Sequence, residues 1–524
     1  MSDHHLRSVV IVGGGVAAWI AAAALARVLP RQRVTIRVVE PFTVCSSEAL
    51  LEAGESCLPS IRTLHRILGI DERDFMLKTH ATFKLGAQLR DWVRPGEVTF
   101  HPFGEIGASI ESLPFHHHWL RIRHVEDAAG QLADYSLAAV AASLGSFAHP
   151  ASDPKSVGAT LDYAYHLDIA SYTDYLRRHA EKLGVERVPG VVRDVSLRSE
   201  DGFIQSVLLD GDRRVEGDLY IDASGFRGVL IGRAMKMAYE SWSQWLPCDR
   251  VVRISSAITS DADIVPYTTA TARSAGWQWR IPLRHRVSNG YVYCSLFSDD
   301  RLAETTLREH LDGAPLDKPD VVSFECGRRQ QLWTRNCVAL GAAACFPDPL
   351  EATHIHLIHS GIAKLLALFP YRDRMDAESD EYNRLMGSEL ERIRDFQILY
   401  YSAPRRTDSP FWAHCGAIDV PASLQRKIRL FTSRGRVALY DDELFGESSW
   451  ACLFTGLDIQ PRSDDRRATT IDAAVIKAKL HRMRSILQQT AHAMPRHTLY
   501  LDRYCPATSA ESLPGEQQRG SGAL

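Results

Sequence analysis

A glycine triplet inside an apolar stretch narrows most sharply what this chain can fold into. From Val9 to Ala26 there is no polar side chain, and Gly13, Gly14 and Gly15 stand near the start of the run. A membrane helix or a signal peptide would be weakened by three successive glycines where it must stay helical. The pattern predicts instead a buried strand at Ser8–Val12 and a tight turn. A small-residue helix over Ala17–Leu29 then closes before Pro30, and a second strand runs over Val34–Glu40. This is a β-turn-α-β unit with a dinucleotide fingerprint, Ala18 taking the third position, where only close helix packing is required. Gly13 and Gly15 let the backbone approach a pyrophosphate at the helix N-terminus. Glu40, at the end of the second strand, is placed to accept hydrogen bonds from a ribose. NAD and FAD fit this unit equally well.

Two later segments favour FAD. Gly217–Arg227 (GDLYIDASGFR) reads as a strand, an acid at Asp222 and a small-residue turn. Val338–Ala344 (VALGAAA) reads as a strand entering a turn at Gly341 and then a helix. In two-domain flavoproteins the chain returns to its cofactor at such strand ends. The stretch Val251–Phe297 alternates β-type residues and predicts a sheet flooring a substrate cavity. Beyond Ile355 the periodicity is helical, over Ile355–Pro370, Glu378–Tyr401 and Ala473–Met494. The polar tail from Ala507 predicts disorder. The 61 basic residues against 64 acidic ones leave a net charge of −3, with no basic footprint for nucleic acid or an anionic membrane. Ten cysteines without a CxxC pair predict reduced, buried thiols in a cytoplasmic protein.

The most informative short string is Pro349–Ile355 (PLEATHI). It sets one carboxylate, Glu351, in an apolar stretch just after the Gly/Ala-rich turn. A buried carboxylate is costly without a partner or a task. By composition alone Glu351 is also a helix N-terminal acid, and Lys84 a surface lysine on a strand.

Four segments together resemble the flavin-dependent halogenases of the tryptophan halogenase type. Gly276–Pro282 (GWQWRIP) matches their WxWxIP signature, and Gly13–Trp19 (GGGVAAW) their FAD-binding opening. Ala81–Trp92 (ATFKLGAQLRDW) looks like the segment with their catalytic lysine, here Lys84. Gly327–Leu357 looks like the segment with their catalytic glutamate, here Glu351. The resemblance implies an α/β chain with the FAD-binding, two-domain, flavoprotein monooxygenase-like fold and a mainly helical C-terminal subdomain. Residues 1–354 would form the FAD module with the cavity sheet interleaved, 355–505 the helical subdomain and 506–524 a disordered tail. It implies FAD, reduced to FADH2 by a separate NAD(P)H-dependent flavin reductase, and chloride or bromide oxidised to hypohalous acid. Lys84 would deliver the halogen and Glu351 would take the proton from a small aromatic substrate, an indole or a tryptophan-like compound. Val16, Ala17, Glu55, Val192 and Ile355 would be further flavin contacts. The amides of Thr353 and His354 would hold the halide, and Trp277 and Trp279 would wall the site. The resemblance also allows a homodimer.

The chain departs from the family at Ala352, where serine is usual, and at His354, where the tryptophan 7-halogenases have glycine. Cys45–Gly54 departs in the strap between the flavin and substrate sites. The free-tryptophan clamp region reads YDDELFGESSW (Tyr440–Trp450) without a Tyr-Tyr pair. It leaves Glu443, Glu447 and Trp450 as candidates for the substrate cavity. His354, His356 and His359 have no metal-ligand spacing, and no metal is expected. His116–His118 reads as a polar loop. Trp242 and Trp245 read as core. Two rival readings are an aromatic hydroxylase, which would turn over without halide, and a non-catalytic FAD-binding protein.

Overall fold

A computed structural model describes residues 5–41, 54–125, 129–372, 374–404 and 406–506. Most of the strap singled out above, residues 45–53, and the tail from 507 lie outside the described residues.

The N-terminal unit forms as its sequence dictates. Strand Ser8–Val12 pairs in parallel with Thr35–Glu40 on one side and Leu219–Asp222 on the other. A six-stranded sheet results, its order completed by Trp333–Thr334 and Cys337–Ala339 at one edge and Glu186–Pro189 at the other. Helix Val16–Val28 is buried almost throughout, from Val16 to Ala26. Its alanines let two other helices, Ile169–Lys182 and His354–Ala367, pack closely against it. At Gly13 the turn admits no side chain: φ is +144°, and a Cβ would lie 2.0 Å from the Ala223 carbonyl oxygen. The turn therefore locks directly onto the end of the neighbouring strand.

The alternating middle of the chain builds a seven-stranded sheet. Arg250–Ser256, Thr268–Arg273, Gly276–Pro282 and Val287–Tyr293 join Gly86–Arg90, Val98–Pro102 and Asp320–Ser323 there. The C-terminal part contributes helices His354–Ala367, Asp376–Ser402, Ala422–Arg434, Glu447–Gly456 and Ala473–His492.

Two expectations are corrected. The Gly/Ala turn after Cys337–Ala339 leads into a short strand, Cys345–Phe346, and the helix begins only at His354. The reason is the loop between them, which other elements hold open. His116–His118 is not a loop: it opens the helix Phe115–Val125, with all three rings buried. Flanking Phe115, Trp119 and Leu120 carry the apolar face, and the histidines are drawn inside with them.

Candidate active site

Lys84 ends strand Thr82–Lys84, which pairs with Ala164–His166. One residue later the chain enters the large sheet, where Ala87 stands opposite His101. Lys84 is therefore fixed at a corner between two sheets and is only 1% exposed. Its Nζ donates to the Cys57 carbonyl at 3.3 Å and lies 4.9 Å from the centre of the Phe103 ring. Burial lowers its pKa to about 8, although the Glu351 charge opposes the shift.

Glu351 is set by a different mechanism. One turn at the end of the helix Asp376–Ser402 clamps the loop from Asp348 to Glu351. Gln397 Nε2 donates to the carbonyls of Asp348 (2.7 Å) and Leu350 (2.8 Å), and Tyr401 donates to Asp348 Oδ2 at 2.7 Å. The Tyr400 hydroxyl donates to Glu351 Oε1, and His101 Nδ1 lies 3.0 Å from the same oxygen. Gln397, Tyr400 and Tyr401 are spaced i, i+3, i+4 and share a helix face. So held, Glu351 and Ala352 both take left-handed backbone conformations, with φ of +69° and +57°. Burial pushes the Glu351 carboxyl up, but His101, Tyr400 and Lys84 outweigh it and hold the group ionised. Asp348 accepts from Tyr401 and the Leu350 amide but has no positive charge beside it to offset desolvation, and burial raises it to about 6.

Lys84 and Glu351 line one small cavity, together with Trp277, Trp279 and His354. The tryptophans are two residues apart on one strand and so face the same side. Their ring centres are 6.0 Å apart. Trp279 lies across Gly290, where a Cβ would come within 2.2 Å of the indole. His101 and Phe103, which touch Glu351 and Lys84, line a second, larger cavity together with Phe115, Phe445, Glu447 and others. The pair thus stands in the partition between two spaces, and His101 and Phe103 touch it from the second.

The end of the loop opens the helix His354–Ala367. The amides at the start of a helix lack intrahelical acceptors and carry positive potential. Here Thr353 Oγ1 is also buried without a partner among the described residues. His354 is buried, its Nε2 lies 3.2 Å from the Pro347 carbonyl, and burial lowers its pKa to about 4, so the ring adds no charge.

The fingerprint turn fits a dinucleotide. Glu40 is wholly buried, and Arg187 engages its Oε1. Its Oε2 has no partner among the described residues, and a Cβ on Gly14 would come within 3.0 Å of it. An orphaned buried oxygen beside a glycine cradle is what a ribose hydroxyl would satisfy. Gly341 adds a second glycine turn with φ of +61° at the adjacent strand end. Val16, Ala17 and Ile355 have buried side chains, so only their backbone is available to a cofactor. Val192 lies just past the sheet edge at which Gly190 donates to the Glu40 carbonyl.

Other expected site residues have different employment. Both oxygens of Asp222 are saturated by its own loop, Oδ1 by Ser224 and Oδ2 by the amides of Leu230 and Ile231. It shapes the turn and has no lone pair directed at a cofactor. The Glu55 carboxylate lines the smaller cavity but is held by Arg286, which also binds Asp168. Glu443 is paired with buried Lys427 and accepts from Trp450 Nε1 at 3.2 Å. Neither Glu443 nor Trp450 therefore belongs to the cavity wall; Glu447 does. Sequence reasoning missed His101, Tyr400 and Tyr401. The signal for the tyrosines was a polar i, i+3, i+4 set ending an otherwise apolar helical run, FQILYY.

The sequence profile of the tryptophan halogenase family matches residues 8–473. The chain is 32% identical over 464 residues to the tryptophan 6-halogenase SttH of Streptomyces toxytricini, covering 84% of this chain and 86% of that one. Among solved structures it is similar to BrvH, a flavin-dependent halogenase from Brevundimonas sp. BAL3. The TM-score is 0.91 with 42% identity, and 96% of this chain and 100% of that one are covered. A flavin-dependent halogenase from Xanthomonas campestris matches with a TM-score of 0.91 and 39% identity, over 97% and 100% of the respective chains.

Proposed function

This chain belongs to the tryptophan halogenase family and is a flavin-dependent halogenase, and on that premise we propose how its residues divide the work and what it acts on. One observation carries the proposal: Lys84 and Glu351, remote in sequence, line one cavity and stand in the partition between it and a larger one. Bound FAD, reduced by a separate flavin reductase, supplies the oxidation of chloride or bromide by oxygen to hypohalous acid. Glu40 and the Gly13–Gly15 turn hold the nucleotide, and the amides of Thr353 and His354 hold the halide. Trp277 and Trp279 keep the smaller cavity dry and separate the aromatic substrate from the flavin.

Lys84 meets the oxidised halogen as it crosses the partition. A lysine with its pKa near 8 offers both an N–H donor and, in part, a free amine at neutral pH. Glu351, ionised and fixed by His101 and Tyr400, stabilises the cation that develops on the ring and accepts its proton. The substrate is an electron-rich aromatic of the indole type, held in the larger cavity. A clamp for a free amino acid is not supported there, because Glu443 is already neutralised by Lys427. The described cysteines are all free and buried, which supports work in the reducing cytoplasm.

The test is a reductase-coupled assay with FAD, chloride or bromide, and a panel of indoles, read by mass spectrometry. The expected result is a halogenated product that disappears in Lys84→Ala. It should fall at least about a hundredfold in Glu351→Gln, with FAD binding intact, as loss of a general base requires. Oxygenated product in place of halogenated product would overturn the reading.

A further inference from the structure

The larger cavity carries a cluster that the halogenation chemistry does not use. A ring nitrogen of His116, one of His117 and a carboxylate oxygen of Glu447 all lie within 4.8 Å of one another. His116 and Glu447 line the cavity. The two rings are close, with centres 4.1 Å apart. We propose that His116, His117 and Glu447 form a site for a divalent transition cation of the zinc class in the wall of this cavity, with one coordination position open toward the space.

Three independent features point to a cation. His116 Nε2 faces the Gly435 carbonyl at 2.8 Å, so that nitrogen bears the proton and Nδ1 is left as a lone pair. A metal-bound imidazole usually donates its other N–H to a backbone carbonyl in this way. His117 is only 3% exposed, and its Nδ1 has no partner among the described residues, a costly arrangement for a buried acceptor unless something occupies it. The Glu447 carboxylate has neither a hydrogen bond nor an ion pair among the described residues, and Glu105 stands beside it as a second acid. The opposing charge is Arg467, whose guanidinium is engaged by Asp465 at 3.2 Å and 3.3 Å.

The donor set selects the ion. Two imidazoles and one carboxylate suit zinc and its neighbours, whereas magnesium and calcium require oxygen ligands. Tetrahedral zinc with bonds of about 2.1 Å separates its ligand atoms by about 3.4 Å, which the present spacing reaches by small side-chain rotations. Three protein ligands leave the fourth position free for water or for a donor atom of whatever fills the cavity. The site also ties the helix Phe115–Val125 to the start of Glu447–Gly456, two elements that both contribute to the cavity wall.

The experiment uses the full chain after chelator treatment, titrated with zinc sulfate by calorimetry, with zinc content measured by mass spectrometry after desalting. One zinc ion per chain is expected in the wild type and no binding heat from magnesium. Binding should weaken at least about tenfold in Glu447→Gln and be lost in His117→Gln, with FAD binding and the circular dichroism melt confirming that each is folded. Glu447→Gln, at a half-buried rim position, decides the matter if His117→Gln does not fold. No zinc retained by the wild type, or equal affinity in the folded variants, would overturn the proposal. None of these readouts depends on halogenation.

Discussion

Each of the two central side chains is tuned by its surroundings. Glu351 stays charged in a buried setting because two donors and a nearby lysine offset its desolvation. Tyr400 is the donor most easily removed without a change of shape. In Tyr400→Phe the carboxyl loses one charge-assisted hydrogen bond, worth about 1.5 kcal/mol, so its pKa should rise. The acid limb of the pH–rate profile for halogenation should move upward while FAD affinity is unchanged; a profile superimposable on the wild type would remove Tyr400 from this role. Lys84 gives a pH prediction of definite sign. Its folded pKa, about 8, lies below the ordinary 10.5, so between those values the unfolded chain binds more protons than the folded one. Stability due to this group therefore rises with pH across that window. Relative to Lys84→Met, the wild type should gain about 1.5 kcal/mol between pH 8 and 9.5 in denaturant titrations. A difference that stays flat or reverses over that range would show that the amine titrates normally.

Among the elements, the loop Asp348–Ala352 shows how strain is stored and held. Two successive non-glycine residues in the left-handed region cost about 1 kcal/mol each or more. Gln397, Tyr400 and Tyr401 hold them there from one helix face. Ala352→Gly relieves one of these strained positions, since its φ of +57° suits glycine. We expect a gain of about 1 kcal/mol in unfolding free energy together with slower halogenation, because a looser backbone no longer fixes Glu351 against the partition. Increased stability without loss of rate would show that the strain is incidental. The periodicity of Asp376–Ser402 was legible in the sequence, and so was the position of Glu351. The contact between them was not, because it depends on how a helix end meets a loop some fifty residues earlier, and neither pattern carries that information.

For the molecule as a whole, the arrangement is a six-stranded sheet carrying the glycine fingerprint and a seven-stranded sheet that lines the smaller cavity. No helix among the described residues is long and apolar enough to cross a membrane. The family's dependence on reduced flavin leads to a prediction at this scale. NAD(P)H and oxidised FAD with the chain alone should give no halogenated product, and chemically reduced FAD should restore it without any reductase; failure of that restoration would require a reductase that docks. The sequence by itself determined the nucleotide unit, because glycines, small residues and a terminal acid at fixed spacing leave the backbone one economical course. It also determined the family, through the segments around Gly13, Lys84, Trp277 and Glu351. Only the tertiary structure decided which polar groups are free. Glu443 and Glu447 are four residues apart and equally acidic, yet one is neutralised by Lys427 and the other lines a cavity beside two histidines. Asp222 and Glu40 both end buried strands, yet one is saturated by its own loop and the other keeps an oxygen unpartnered. The physical reason is the same in each case: a carboxylate's role depends on the donors and charges around it, and those arrive from parts of the chain that only folding brings together.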